Sequence, residues 1–434
     1  MGDVVLEGGV GVVGASSIGG GAGSPPELRL LGVKADATGS LVDLPFPVGR
    51  AELVQVSSRG AVSQEPLVRL SGDELTLRSV DIAGCAVTNN VVTASATGQD
   101  ADTDLVFDDV SITGCLVDGG VVIGGDNQPA STSINSLRIE DTVFLASFRA
   151  QVALDLRGEA TVDGLRLQSD VVEGGPPQVA LVSVDSGTTI DTLWLTDVAF
   201  GGGEGVLVEA RGIGGSVSLS NAVLATIPGE QVWALKAELG VTIAFDDSTF
   251  VGDRGDLVLV VPLLTGVVEA ERSLFVGLPP RSGNTVRFSD SGFTGAPPAA
   301  CDRCQTIGDP GFLRYHENLE PALWDLRFTV GSTDADCPRD ASEADARGVG
   351  ALRTSSARAS LWYPDGDGDG LLDDWELRFL GPIRLYGADG DPDGDRLTNA
   401  CEQDGKGTLP DRIDTDLDDA DDRADGAPLD PDLQ

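Results

Sequence analysis

Twelve residues near the C-terminus carry the densest chemistry in this chain. Acids alternate at Asp365, Asp367 and Asp369, Gly370 and Leu371 follow, and Asp373 and Glu376 complete the run. Counted from Asp365, these are positions 1, 3, 5, 6, 7, 9 and 12. A hard cation takes roughly six to eight oxygens, which alternate carboxylates on a tight turn, one carbonyl and a bidentate glutamate can supply. Six carboxylates in twelve residues repel one another unless a cation neutralises them. The rival reading is a solvated acidic linker. A random acidic run would not also place the glycine and the closing glutamate, so the spacing predicts a Ca2+ loop.

Two further copies follow. Asp391, Asp393, Asp395, Leu397, Asn399 and Glu402 keep the ligand spacing but put Arg396 at position 6. Asp414, Asp416, Asp418, Ala420, Asp422 and Asp425 keep it with Asp419 at position 6 and a shorter acid at 12. Only glycine takes positive φ without steric cost, so the second turn is expected to be strained or different. The ranking expected for metal binding is first loop, second, third. Pro364 argues against a helix entering the first loop. Leu372, Trp375 and Phe379 predict a helix leaving it, up to Gly381 and Pro382. A loop with one exiting helix resembles dockerin modules and thrombospondin type 3 repeats. That resemblance implies calcium acting as the core of a short acidic segment.

These loops need a body to carry them, and composition bounds what it is. The chain has 70 acidic and 29 basic residues, a formal net charge of −41. Residues 365–434 hold 22 acids and 6 bases, a net of −16, which leaves −25 for the preceding residues. An acidic surface throughout argues against nucleic acid and against an anionic membrane. Hydrophobic content of 41% with 57 glycines fits a turn-rich β protein rather than a disordered chain. No apolar run is long enough to span a membrane. The start, Met1 to Glu7, has no basic region followed by an apolar core. Loops with imperfect turns suit millimolar calcium, which is found outside cells. The expectation is therefore a piece of an exported protein, extracellular or on the cell surface.

Residues 1–294 repeat one pattern about every 27 residues: apolar, any, apolar, any, turn residue, two more, large apolar. It runs Leu75–Ile82, Leu105–Ile112, Leu137–Phe144, Leu165–Val172, Leu193–Phe200, Val217–Leu224, Ile243–Phe250 and Val268–Phe275. A second apolar patch keeps step at Val92, Val121, Val152, Val179, Val206 and Val232. Short strands at this period cannot bury their apolar faces alone, but stacked coil on coil they build one core. The tight hairpins that usually join sandwich strands are few here, which argues against a sandwich, and the period is too short for a propeller blade. The pattern resembles right-handed parallel β-helices of the pectin-lyase-like superfamily. The expected fold is all-β, a right-handed parallel β-helix of about ten coils followed by a small calcium-loop module. The expected organisation is 1–294 β-helix, 295–363 connector and cap, and 364–434 calcium-binding repeats. The eight large apolar residues ending each motif, Ile82 to Phe275, are expected to stack in one inward column.

The turn column reads Ser79, Asp109, Asp141, Ser169, Asp197, Asn221, Asp247 and Arg272. It could be a carboxylate ladder for metal or sugar. Residues of these types at a bend are better explained as local backbone caps. Cys85 and Cys115 fall at equivalent places in successive coils, close enough to be bridged or merely stacked. Cys301, Cys304, Cys337 and Cys401 lie distally. Zinc would need all four, with one inside a calcium loop, so two structural disulfides are favoured.

Three functions remain open. The favoured one is a non-catalytic calcium-binding structural or adhesion protein with a rigid rod. The second is a polysaccharide lyase or hydrolase, which the β-helix resemblance allows. The third is a carbohydrate-binding module without turnover. Against catalysis, the single histidine, His316, lies in the connector, Lys34, Lys236 and Lys406 do not cluster, and Arg138, Arg157, Arg166 and Arg211 are not expected to share one column. Aromatics at 5% are sparse for sugar stacking. The expected partners are a polysaccharide or another surface protein, with no nucleic acid, and the chain is expected to be monomeric.

Overall fold

A computed structural model describes residues 4–10, 13–14, 27–35, 39–44, 47–96, 104–124, 131–140, 142–145, 152–168, 170–173, 178–196, 198–201, 204–225, 232–237, 240–252, 259–260, 267–277, 286–298, 301–314, 325–328, 332–333, 337–339, 342, 344, 347, 349–351, 365, 367–383 and 385–433. The chain divides into two compact units. The first comprises 1–246, 250–271 and 278–288, and the second 247–249, 272–277 and 289–434.

The first unit is a parallel β-solenoid. Its strands alternate buried and part-exposed residues, as in Leu137–Glu140 and Leu165–Gln168, which is the strand period with one face inward. Coiling lets each strand pair in parallel with its equivalent one turn on. One ladder links Leu6, Leu30, Leu53, Leu77, Phe107, Ile134, Val162, Ile190, Leu219, Phe245 and Ala270. A second wall stacks Val68, Val92, Val121, Leu154, Val182, Val208, Leu235 and Leu259. The solenoid has about seven turns, slightly fewer than the ten or so coils expected.

The expected inward column divides in two. All eight residues from Ile82 to Phe275 are buried, but they do not form one stack. Ile112 pairs with Ile139, not Phe144, and the stack continues through Leu167, Leu195 and Leu224. Phe144 belongs to a separate six-stranded sheet, where Val87, Val117, Phe144, Val172 and Phe200 align. The cause lies in the column of Leu75 and Leu105, which continues as Thr132 and Ala160. A buried threonine and an alanine interrupt the apolar signal, so the next apolar pair imitates the missing one.

The bend column shifts with it. Ser79, Asp109, Asn221, Asp247 and Arg272 have φ between 46° and 55°, a left-handed conformation that Asn and Asp tolerate best. Their role as bend residues stands. The pairing of Ile134 and Leu137 places Ser136, not Asp141, opposite Asp109. Asp141, Ser169 and Asp197 themselves lie outside the described residues, as does His316.

The four arginines lie on two walls and so do not share one column. Arg138 and Arg166 are direct neighbours across coils. Like charges opposite one another destabilise a sheet unless neutralised, and Glu140 meets Arg166 at 3.1 Å. On another wall Asp155 holds Arg157 at 2.7 Å and Arg211 at 2.6 Å, and Asp185 adds a contact to Arg211 at 3.0 Å.

In the second unit, strands Phe312–Arg314 and Asp325–Phe328 pair antiparallel, with the Phe312 and Phe328 rings stacked 5.5 Å apart. Gly350 lies at φ 96°, where a Cβ would come within 2.7 Å of Phe328. The Gly350 and Ala351 amides donate to Arg272 O and Thr249 Oγ1. Ile307 and Val349 cover Gly292. The connector thus covers coil residues of its own unit, as an open solenoid end requires. All six cysteines are bridged, as Cys85–Cys115, Cys301–Cys304 and Cys337–Cys401. No helix among the described residues is long and apolar enough to cross a membrane.

Candidate metal centre

The three acidic loops fold on one hydrogen-bond plan. In the first, the Asp365 carboxylate accepts the amides of Gly368 (2.7 Å) and Gly370 (3.0 Å), and Asp369 accepts that of Leu371 (2.8 Å). In the second, Asp391 accepts from Gly394 (2.8 Å) and Arg396 (3.2 Å), and Asp395 from Leu397 (2.6 Å). In the third, Asp414 accepts from Leu417 (2.7 Å) and Asp419 (2.9 Å), and Asp418 from Ala420 (2.8 Å). Position 1 therefore clamps amides 4 and 6, and position 5 clamps amide 7.

Of the two alternatives expected where glycine is missing, a strained turn or a different one, the loops take the first. Position 6 is left-handed in all three loops, at Gly370 (φ 95°), Arg396 (77°) and Asp419 (74°). Position 4 is left-handed too, at Gly368, Gly394 and Leu417. The two amides bonded to the position-1 carboxylate hold the backbone there, at a steric cost on the order of 1 kcal/mol for each non-glycine residue.

One carboxylate oxygen from each of several expected ligands falls within 4.8 Å of the others. Asp365, Asp367 and Asp373 gather, as do Asp367, Asp369 and Glu376, so the first loop brings positions 1, 3, 5, 9 and 12 into two overlapping groups. Asp391, Asp393 and Asp395 gather in the second loop and Asp414, Asp416 and Asp418 in the third. A fifth group was not foreseen: Asp395 and Glu402 of the second loop with Asp422 of the third. Asp425 is buried but joins none of these groups. Leu371, Leu397 and Ala420, the carbonyl positions, each donate their amide to position 5 and so are fixed in the turn.

Local packing explains how the loops hold their shape. Helix Asp373–Phe379 follows the first loop as expected, and Leu371, Trp375 and Leu380 bury one face with Phe379 and Leu372 against them. A wide single turn, Cys401–Lys406, follows the second loop. Its Gln403 accepts the Leu372 amide at 2.7 Å and donates to Gly370 O, stitching the second loop to the first. Arg423 donates to Arg396 O at 2.7 Å, and Lys406 donates to the carbonyls of Asp422 and Asp425, stitching the second to the third.

Electrostatics mark the same region. Burial pushes the Glu402 carboxyl up to about 9, with the Asp393, Asp395 and Asp422 charges adding. Burial likewise raises Asp422 to about 7, and Asp393 and Asp416 to about 6. Buried carboxylates facing one another disfavour the charged form, and a bound cation would reverse that sign. Asp395 Oδ2, Asn399 Oδ1, Glu402 Oε2 and Asp425 Oδ2 are buried with no hydrogen-bond partner among the described residues. Such atoms cost stability unless something satisfies them, and an oxygen-only donor set of this kind fits a hard divalent ion.

Fold and site together define a parallel β-solenoid in one unit and tandem acidic loops in the other. Compared with protein-family models, curated proteins and solved structures, the chain matches none.

Proposed function

We propose that this chain is a non-catalytic, calcium-binding structural or adhesion protein of the cell exterior. The observation carrying this reading is the common plan of the three loops, in which backbone amides fix the position-1 carboxylate and the carboxylates of each loop gather in groups of three with oxygens within 4.8 Å of one another. Glycine identity varies between the loops while the geometry does not, as a shared ion-binding task would require. Three disulfides fit an oxidising compartment. A non-catalytic solenoid is supported by its polar wall, where Asp155, Asp185 and Glu209 are tied up with Arg157, Arg211 and Lys236. A glycosidase needs carboxyls available on both sides of a sugar bond.

The test is limited proteolysis of the full chain with and without chelator, with fragments identified by mass. The expected result is cleavage within 365–425 only when calcium is removed, while the solenoid fragment persists. Equal resistance of that segment in both conditions would sink the calcium reading.

A further inference from the structure

We propose that the second and third loops share one divalent cation, with Asp422 of the third loop completing the coordination begun by Asp395 and Glu402 of the second. This rests on the calcium reading above and goes beyond it, because the sequence assigns Asp422 to its own loop at position 9. Oxygens of the three carboxylates lie within 4.8 Å of one another. The residues are 2%, 0% and 1% exposed. Asp395 Oδ2 and Glu402 Oε2 are buried oxygens without a hydrogen-bond partner among the described residues. That arrangement points to a ligand, since apposed buried carboxylates left alone would repel.

Asp422 is held for the task. Its Oδ1 accepts the Thr415 amide at 2.7 Å and its Oδ2 the Thr415 hydroxyl at 2.8 Å. Thr415 Oγ1 in turn accepts the Leu409 amide. Each carboxylate oxygen keeps a second lone pair, so the anchored group can still bind metal. Charge favours a multivalent ion. Asp391 and Asp393 gather with Asp395 as well, so the carboxylates outnumber the lysine among them, Lys406, which is bonded to the carbonyls of Asp422 and Asp425. A monovalent ion would leave more of that buried charge uncompensated than a divalent one. Oxygen donors alone specify a hard cation of the calcium type.

Sharing an ion makes the loops thermodynamically linked, so the closing experiment counts ions. Calcium bound per full-length chain is measured by equilibrium dialysis, with affinities by calorimetry, for the parent, Asp395→Asn, Asp422→Asn, Asp414→Asn and two double variants. Asp395→Asn and Asp422→Asn are each expected to weaken one ion by on the order of tenfold or more, the scale at which loss of even an outer-sphere partner is felt. Because that ion is the same one, Asp395→Asn/Asp422→Asn should lose one ion, whereas Asp395→Asn/Asp414→Asn should lose two. Loss of two ions from the first double variant assigns Asp422 to the third loop alone and overturns the proposal. So does Asp422→Asn with every affinity within about twofold of the parent, less than the loss expected of a ligand. A parent that binds no calcium overturns the calcium reading itself, and the two failures are thereby told apart.

Discussion

Removing the Cys337–Cys401 bridge should cost the second unit about 4 kcal/mol and its calcium affinity together. The bond closes a loop of sequence separation 64. In the chain-entropy picture, a closed loop of that length restricts the unfolded chain by about 4.3 kcal/mol at room temperature. Cys301–Cys304 spans a separation of only 3, for which the same relation gives about 1.6 kcal/mol. The distal bridge has a second effect. Cys401 immediately precedes Glu402, and Gly405 packs against Cys337, so the bridge fixes the turn that presents Glu402 to the ion. Paired alanine replacements, Cys337→Ala/Cys401→Ala and Cys301→Ala/Cys304→Ala, are compared by chemical denaturation in calcium and in chelator. The expected order is a large loss for the first pair and a small one for the second, with weaker calcium binding only in the first. Equal losses for the two pairs, or a first pair that binds calcium like the parent, would refute the reasoning.

Further outcomes follow from the same structure. Asp422 and Glu402 titrate higher in the folded than in the unfolded chain, to about 7 and about 9, so without metal the folded state holds more protons. Stability of the calcium-free second unit should therefore be greatest near pH 4 and fall as pH rises through about 7 and on towards about 9; thermal melts across that range, with calcium added to abolish the decline, check the sign. Ile139→Asp would bury a charge between Ile112 and Leu167 and should prevent the solenoid from folding, read by far-UV circular dichroism. Gly205→Ala would drive a methyl into the Phe200 ring and should cost about 1–3 kcal/mol of solenoid stability in denaturant titrations. Gly370→Ala at φ 95° should weaken first-loop calcium binding by about fivefold, the equivalent of roughly 1 kcal/mol, in calorimetric titration.

The coiled architecture was legible because burial in a strand alternates, and a chain that alternates in every coil can hide those faces only by stacking. Which residue stacks on which was not legible. Each coil carries several apolar-x-apolar pairs, and Thr132 and Ala160 silence one of them, so counting apolar residues moved the phase by one wall. The ligand spacing of the three loops was written in the sequence because position within a turn is local. Two features were not. That Arg396 and Asp419 adopt the glycine conformation depends on the amide clamp around Asp391 and Asp414. That Asp422 meets Glu402 depends on how two loops dock, through Arg423 and Lys406. The weak signal available was Lys406 itself, the single lysine in an acidic tail.

The Cys85–Cys115 bridge bears on how the chain finds its register while folding. Coils of similar pattern can pair with the wrong neighbour, and a slip by a whole coil leaves most apolar faces satisfied. The ladder steps 24 residues from Leu53 to Leu77 and then 30 from Leu77 to Phe107. The two cysteines are also 30 apart, so the bond spans the coil where the step length changes. A misaligned chain would not bring these thiols together, and once joined they forbid the slip. The covalent link thus acts as an index mark for the growing stack, proofreading alignment at the place where repetition alone gives the least guidance.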